Sequence, residues 1–229
     1  MAETGRQAAE LDWRAGGIPV SARFDDPYFS LENGLAETRH VFLAGNGLPD
    51  RFRPGFHVAE LGFGTGLNLL AAWAAWDDSG QDGPLRFTSF EAFPMRAADM
   101  ARALSAFPAL ADRAAVLTAA WARGAARIEA PALRAEVILG DARRTLPGWS
   151  GRADAWFLDG FAPARNPELW DPALLAAVAA RTAPGGTAAT YTAAGAVRRA
   201  LAAAGFSVDR RPGFGRKRHM TVAVKGAPA

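Results

Sequence analysis

Short apolar strand patterns alternate with helix patterns along most of the chain, and near the C-terminus the alternation stops. His57 to Leu61 reads as a buried strand ending in glycine, and Leu67 to Trp76 as an apolar helix. Leu85 to Phe90 is the second strand, and Pro94 to Leu104 a helix with proline in its first turn. Arg134 to Leu139 and Ala153 to Leu158 follow as strands, then Pro172 to Arg181 as a helix. Thr187 to Tyr191 is the fifth strand, before a helix from Ala194 to Ala204 that Gly205 closes. Alternation of this kind builds a doubly wound, mostly parallel sheet. Ser207 to Arg211 and Met220 to Lys225 then come with no helix between them. A parallel pairing needs a crossover of about a dozen residues or more, and Pro212 to His219 is too short. The expectation is therefore one α/β domain with a seven-stranded sheet that ends in an antiparallel hairpin.

The length of 229 residues suits a single α/β domain. No segment reads as an interdomain linker, and the alanine clusters have no fixed period. No apolar run is long enough to span a membrane. The opening residues MAETGRQAAELDW are polar, without the apolar core of a signal peptide, so a cytoplasmic protein is expected. There are no cysteines, which excludes disulfides, thiolate zinc sites, iron–sulfur clusters and cysteine nucleophiles. His40, His57 and His219 are scattered, and no metal is expected. Net charge is only +3, but Arg210, Arg211, Arg216, Lys217, Arg218 and His219 concentrate cations near the C-terminus. That run is either a solvated turn or a contact for nucleic-acid phosphates.

The chemistry concentrates at the expected strand ends. Glu60-Leu61-Gly62-Phe63-Gly64-Thr65-Gly66 joins the first strand to the first helix. Its glycines let backbone turn sharply and approach a ligand. The spacing is G-x-G-x-G, whereas dinucleotide binders use G-x-G-x-x-G to seat a pyrophosphate on a helix N-terminus. An acid just before the loop suits a ligand ammonium, such as that of S-adenosylmethionine (SAM), better than a pyrophosphate. Glu91 ends the second strand, where a carboxylate accepts from ribose hydroxyls; a surface acid is the plain alternative. Gly140-Asp141-Ala142 ends the third strand, where the acid either meets an adenine amino group or caps a helix.

The most informative stretch is Phe157-Leu158-Asp159-Gly160-Phe161-Ala162-Pro163-Ala164-Arg165-Asn166-Pro167-Glu168-Leu169-Trp170. Asp159 falls at the C-terminal end of the fourth strand, where open α/β sheets bind their ligands. A carboxylate there, followed by a rigid turn, can accept the N–H bonds of an amine and aim its lone pair at a methyl donor. The turn resembles the D/N-P-P-Y turn of amino-methyltransferases, with Asp159, Phe161 and Pro163 in analogous positions. Trp73 and Trp76, one helical turn apart, read as core residues.

Together these motifs resemble the methyltransferase domain of the MnmC tRNA-modification enzymes and its stand-alone form, MnmD. The matching stretches are Pro19 to Leu43, Glu60 to Leu70, Phe157 to Trp170, Pro184 to Phe206 and Gly213 to Met220. The resemblance implies a Rossmann-like SAM-dependent methyltransferase fold over residues 19–229. In it, 1–18 would be an N-terminal tail and 19–56 a substrate-side extension. It implies methyl transfer from SAM to the amine of 5-aminomethyl-(2-thio)uridine at the tRNA wobble position. Glu60, Gly62, Phe63, Gly64, Thr65, Gly66, Asn68, Glu91, Asp141, Ala142 and Asp159 would hold SAM. Asp159 would be catalytic. Tyr28, Asn33, Phe161, Pro163, Arg216, Lys217 and Arg218 would meet the tRNA. A FAD-dependent oxidoreductase domain or enzyme would supply the aminomethyl substrate. No G-x-G-x-x-G fingerprint follows in this chain. Three other readings remain open at this point: a SAM enzyme for a small-molecule or protein amine, a non-catalytic RNA-binding module, and a nicotinamide dehydrogenase. The loop spacing and final hairpin disfavour the dehydrogenase. An intact glycine loop together with Asp159 argues against the binding module.

Overall fold

A computed structural model describes residues 8–30 and 33–226. It opens with three short strands, β1 (Leu11–Arg14), β2 (Ile18–Ser21) and β3 (Asp26–Pro27), which form a separate antiparallel sheet. Gly16 and Gly17 both take positive φ, and they make the turn between β1 and β2. This hairpin crosses residue 18, where the sequence suggests the end of a tail. Trp13 of β1 stacks under the Arg102 guanidinium at 3.8 Å, which ties the hairpin to the body of the fold. The helix α1 (Gly34–Thr38) follows, running on through a π turn and a 3₁₀ turn to Asn46.

The main α/β body then comes in chain order as β4 (His57–Leu61), α2 (Leu67–Asp78), β5 (Leu85–Glu91), α3 (Ala97–Leu104), α4 (Ala111–Ala122), β6 (Arg127–Ala130), β7 (Leu133–Leu139), α5 (Ala142–Gly148), β8 (Ala153–Leu158), α6 (Pro172–Ala180), β9 (Thr182–Thr190), α7 (Gly195–Ala203), β10 (Phe206–Pro212) and β11 (His219–Lys225). The sheet order is β10-β11-β9-β8-β4-β5-β7-β6. Strands β4, β5, β7, β8 and β9 pair in parallel. Strand β11 runs antiparallel between β9 and β10, as the short Pro212 to His219 connection requires.

Among the described residues the sheet has eight strands, one more than expected. The additional strand, β6, pairs antiparallel with the edge of β7. Only Ile128 of its four residues is buried, so its pattern is too short and polar to read as a strand. Pro94 also lies outside the helix it is expected to open, because α3 begins at Ala97. The Pro94 and Met95 carbonyls accept from Ala9 N and Trp121 Nε1 instead, which keeps this stretch out of the helix.

Two cores cover the two faces of the sheet. Trp73 and Trp76 of α2 pack with Phe87 and Phe157 on one face. On the other, Phe90, Trp156 and Leu158 meet Leu174, Leu175, Val178 and Leu201 of α6 and α7. Successive β8 residues thus feed opposite cores, as a strand covered on both sides must. The chain moves outward from β4 to β5 and β7, then returns to place β8 on the other side of β4. That reversal opens a crevice beyond the C-terminal ends of β4 and β8, the place where open α/β sheets take ligands. No helix among the described residues is long and apolar enough to cross a membrane.

Candidate active site

A cavity of about 790 Å³ occupies this crevice. Two loops form its floor. The glycine loop leaves β4 with Gly62, Gly64 and Gly66 all at positive φ, and Asp159 ends β8 beside it. A Cβ on Gly62 would lie 2.7 Å from the Asp159 carbonyl oxygen, so only glycine allows the two loops to come this close. A Cβ on Gly64 would meet the Tyr28 ring at 3.1 Å. Gly66 answers to packing: its missing side chain leaves room for Leu117 and Phe63.

One amide ties the floor together. Asn68, in the first turn of α2, donates from Nδ2 to Glu60 Oε1 at 2.9 Å and to Asp159 Oδ2 at 2.8 Å. Its Oδ1 accepts from Thr38 Oγ1 at 3.0 Å. The Gly160 amide donates to Asp159 Oδ1 at 2.8 Å. Burial pushes the Asp159 carboxyl up to about 6, against the pull of these two donors and the nearby Lys217 ammonium. The group is therefore ionised at neutral pH but close to its titration range.

Glu60 stands differently from its expected role. It is fully buried beneath the loop, does not line the cavity, and accepts from Asn68 and from Ser89 Oγ. Burial raises its pKa well above the usual carboxylate range. It lies beneath the cavity wall and meets it through Asn68.

Glu91, at the end of β5, lines the opposite wall. Its oxygens accept the Gly64 and Phe93 amides at 2.9 and 2.7 Å. Burial raises its pKa, and these amides oppose the rise. Of its two sequence readings, Asp141 takes the helix cap. It caps α5 by accepting from the Arg143 amide, and it lines the cavity with Ala142. The Arg143 guanidinium holds its carboxylate below the ordinary range.

The N-terminal sheet roofs the site. Phe24 stacks on Phe161 at 4.8 Å between ring centroids, and Tyr28 meets the same ring edge-on at 5.1 Å. Asp26 Oδ2 accepts the Ala162 amide at 2.8 Å, so roof and substrate-side turn are hydrogen-bonded together.

The cavity wall thus includes Gly62, Phe63, Gly64, Thr65, Asn68, Glu91, Asp141, Ala142, Asp159, Tyr28, Phe161 and Lys217, all expected from the sequence. Glu60, Gly66, Asn33, Pro163, Arg216 and Arg218 lie outside it. Asn33 acts locally, its side chain capping α1 by accepting from Ala36 N. Arg216, Lys217 and Arg218 are all exposed, but the Lys217 ammonium reaches the cavity wall, where it lies 2.7 Å from Glu37 Oε1 and 4.0 Å from the Tyr191 ring centroid. Glu37, Thr38 and Tyr191 are wall residues that the sequence motifs pass over. Tyr191 directly follows β9, the strand beside β8, and that strand-end position is the one signal available for it.

The model of a family described as S-adenosyl-L-methionine-dependent methyltransferase matches residues 109–226. The chain is 52% identical over 230 residues to the tRNA 5-methylaminomethyl-2-thiouridine biosynthesis bifunctional protein MnmC of Caulobacter sp. (strain K31), covering 95% of this chain and 38% of that protein. The protein of the same name from Pseudomonas aeruginosa (strain UCBPP-PA14) is 46% identical, covering 97% of this chain and 36% of its own length. The chain therefore spans well under half of the curated relatives it matches. Among solved structures, MNMC2 from Aquifex aeolicus superposes with a TM-score of 0.76 at 26% identity, over 99% of this chain and 73% of that one.

Proposed function

The chain belongs to the S-adenosyl-L-methionine-dependent methyltransferases, and from that premise we propose that it methylates 5-aminomethyl-(2-thio)uridine at the tRNA wobble position, giving the methylaminomethyl form. The observation that carries the amine reading is Asp159: a carboxylate at a strand end, beside the glycine loop, lining a cavity of about 790 Å³. The names of the relatives, at 52% and 46% identity, support the nucleoside and the tRNA.

The residues present fit SAM. Glycines leave the loop backbone open, and each Glu91 oxygen keeps acceptor capacity beyond the amide it takes, which suits ribose hydroxyls. We assign Gly62, Phe63, Gly64, Thr65, Glu91, Asp141 and Ala142 to hold the cofactor, which supplies an electrophilic methyl on a sulfonium. Asp159 acts on the other reactant. A primary alkyl amine is mostly protonated near neutral pH, and an ammonium has no lone pair. The carboxylate attracts the cation and, once a proton has left to water, accepts an N–H bond that aims the lone pair. As positive charge develops on nitrogen, the same carboxylate stabilises it. Phe161, pinned between Phe24 and Tyr28, offers an apolar face beside that position. Arg216 and Arg218 are assigned to tRNA phosphates outside the cavity.

The location we propose is the cytoplasm. A FAD-dependent oxidoreductase, as domain or as separate enzyme, is the proposed source of the aminomethyl group; the word bifunctional in the relatives' names supports a second activity in those longer proteins. Nucleoside mass analysis of hypomodified tRNA, after incubation with the protein and SAM, tests the assignment. The expected product is the aminomethyl nucleoside gaining one methyl. Methylation of small amines with untouched tRNA would overturn the assignment.

A further inference from the structure

Lys217 does something unusual for a residue in a basic surface turn. Like Arg216 and Arg218 it is exposed as a residue, yet the tip of its side chain reaches the cavity wall. Its own ammonium pairs with Glu37, whose side chain is only 12% exposed, and sits over the face of Tyr191. Glu37, Tyr191, Lys217 and Asp159 all line one cavity. Tyr191 is braced there, because its hydroxyl donates to the Gly160 carbonyl at 2.7 Å, one residue from Asp159. Burial pushes that phenol up, so it stays neutral and keeps donating. Glu37 adjoins Thr38, whose hydroxyl holds Asn68 and through it Asp159.

An aromatic face flanked by a carboxylate is an ammonium-binding arrangement. Here it holds a primary alkylammonium, the chemical class of a protonated aminomethyl group. Within this group of four, Glu37 and Lys217 cancel and Asp159 stays negative, so a cationic substrate meets a carboxylate beyond the ion pair.

We propose that Glu37 and Tyr191 form a primary-ammonium site that receives the substrate's aminomethyl group on its way to Asp159, with the Lys217 ammonium keeping the place until substrate arrives. This rests on the amine-methylation reading. Substrate entry exchanges one ammonium for another on Glu37, and Lys217 swings out toward the basic turn. The exchange makes Lys217 a competitor of the substrate and Glu37 a specificity-determining residue for amines.

Steady-state kinetics on aminomethyl-tRNA test this with Lys217→Met and Glu37→Gln, and calorimetry with SAM reports that each variant is folded. Lys217→Met should lower KM by about threefold to tenfold, the worth of one half-exposed ion pair with a cation–π contact. Glu37→Gln should raise KM and largely keep kcat. A KM that is unchanged or raised in Lys217→Met would overturn the exchange and return Lys217 to tRNA binding or plain structure. A second readout needs no turnover. In lysine-detected NMR, 5-aminomethyluridine should move the Lys217 signal to that of a solvated lysine. 5-Hydroxymethyluridine should not, and neither nucleoside should act in Glu37→Gln. An unmoved signal overturns the inference. Wild-type protein that fails on tRNA yet shows the shift would instead overturn the tRNA assignment alone.

Discussion

Asn68 Nδ2 stands 2.8 Å from Asp159 Oδ2 and donates to it, and the same amide holds Glu60 on its other side. One neutral side chain therefore orients the carboxylate that lines the cavity and satisfies the one buried below. Asn68→Ala removes both bonds. The lost donor had been holding the Asp159 pKa down, so it should rise above about 6. Near pH 7 more of the carboxyl is then neutral and inactive. A hydrogen bond to a charged group is worth about 1.5–3 kcal/mol, or about one to two pKa units, so kcat/KM should fall by about twofold to tenfold at neutral pH. The deficit relative to wild type should shrink as pH rises. A pH profile of the ratio checks this, and a deficit of constant size would show that Asn68 serves shape alone.

The glycine loop should tolerate substitution unevenly. A methyl on Gly62 would press on the Asp159 carbonyl at 2.7 Å, which is backbone and cannot step aside. A methyl on Gly64 would press on the Tyr28 ring at 3.1 Å, a side chain with some freedom. Both positions have positive φ and cost about 1 kcal/mol on that ground alone. Gly62→Ala should therefore lose more thermal stability and more kcat than Gly64→Ala, while Gly64→Val should abolish SAM binding. Melting curves and calorimetry on the three variants measure the order.

Much of this site is legible in the sequence, because open α/β sheets place ligands where strands end and these strand ends are apolar runs followed by glycine or acid. Gly62, Glu91, Asp141 and Asp159 all follow from that rule. The rest depends on tertiary contact. Glu37 and Lys217 are 180 residues apart, and nothing local distinguishes Lys217 from the arginines beside it. Glu60 precedes the loop in a way that suggests ligand contact, yet it is fully buried beneath the cavity wall, where it meets the wall residue Asn68. Strand β6 leaves little trace in the sequence because an antiparallel edge strand of four residues needs only one buried side chain.

The exposed arginines of the C-terminal turn should act on tRNA and not on the cofactor. Replacing Arg216 and Arg218 by alanine should weaken tRNA binding across sequences. It should also reduce the salt dependence by roughly one unit of slope per lost phosphate contact. SAM affinity should hold. Filter binding across a salt series gives the slope, and an unchanged slope would leave the turn as solvated surface.

Asp159→Asn should expose a conflict between stability and catalysis. The folded-state pKa is raised from 3.8 to about 6, so the native protein binds this proton more tightly than the unfolded chain does. The associated stability is fully present below about pH 3.8 and is lost as pH rises through about 6. A shift of roughly two units corresponds to at most about 3 kcal/mol, and less in practice because Asp159 opens onto a cavity that water can enter. Asparagine has no such titration. The stability of Asp159→Asn relative to wild type should therefore climb between pH 4 and pH 7, measured by denaturant melts at each pH, and then level off. Taking the difference across pH cancels whatever the new amide does to the Gly160 contact. Catalysis should move the other way. The charge that stabilises the nitrogen in the transition state is gone, so kcat should drop by about 100-fold or more with near-normal SAM binding. Wild-type turnover in this variant would leave the aiming of the amine to the backbone of the Gly160 turn. A flat stability difference would mean that the carboxylate is solvated as well in the folded protein as in the unfolded chain.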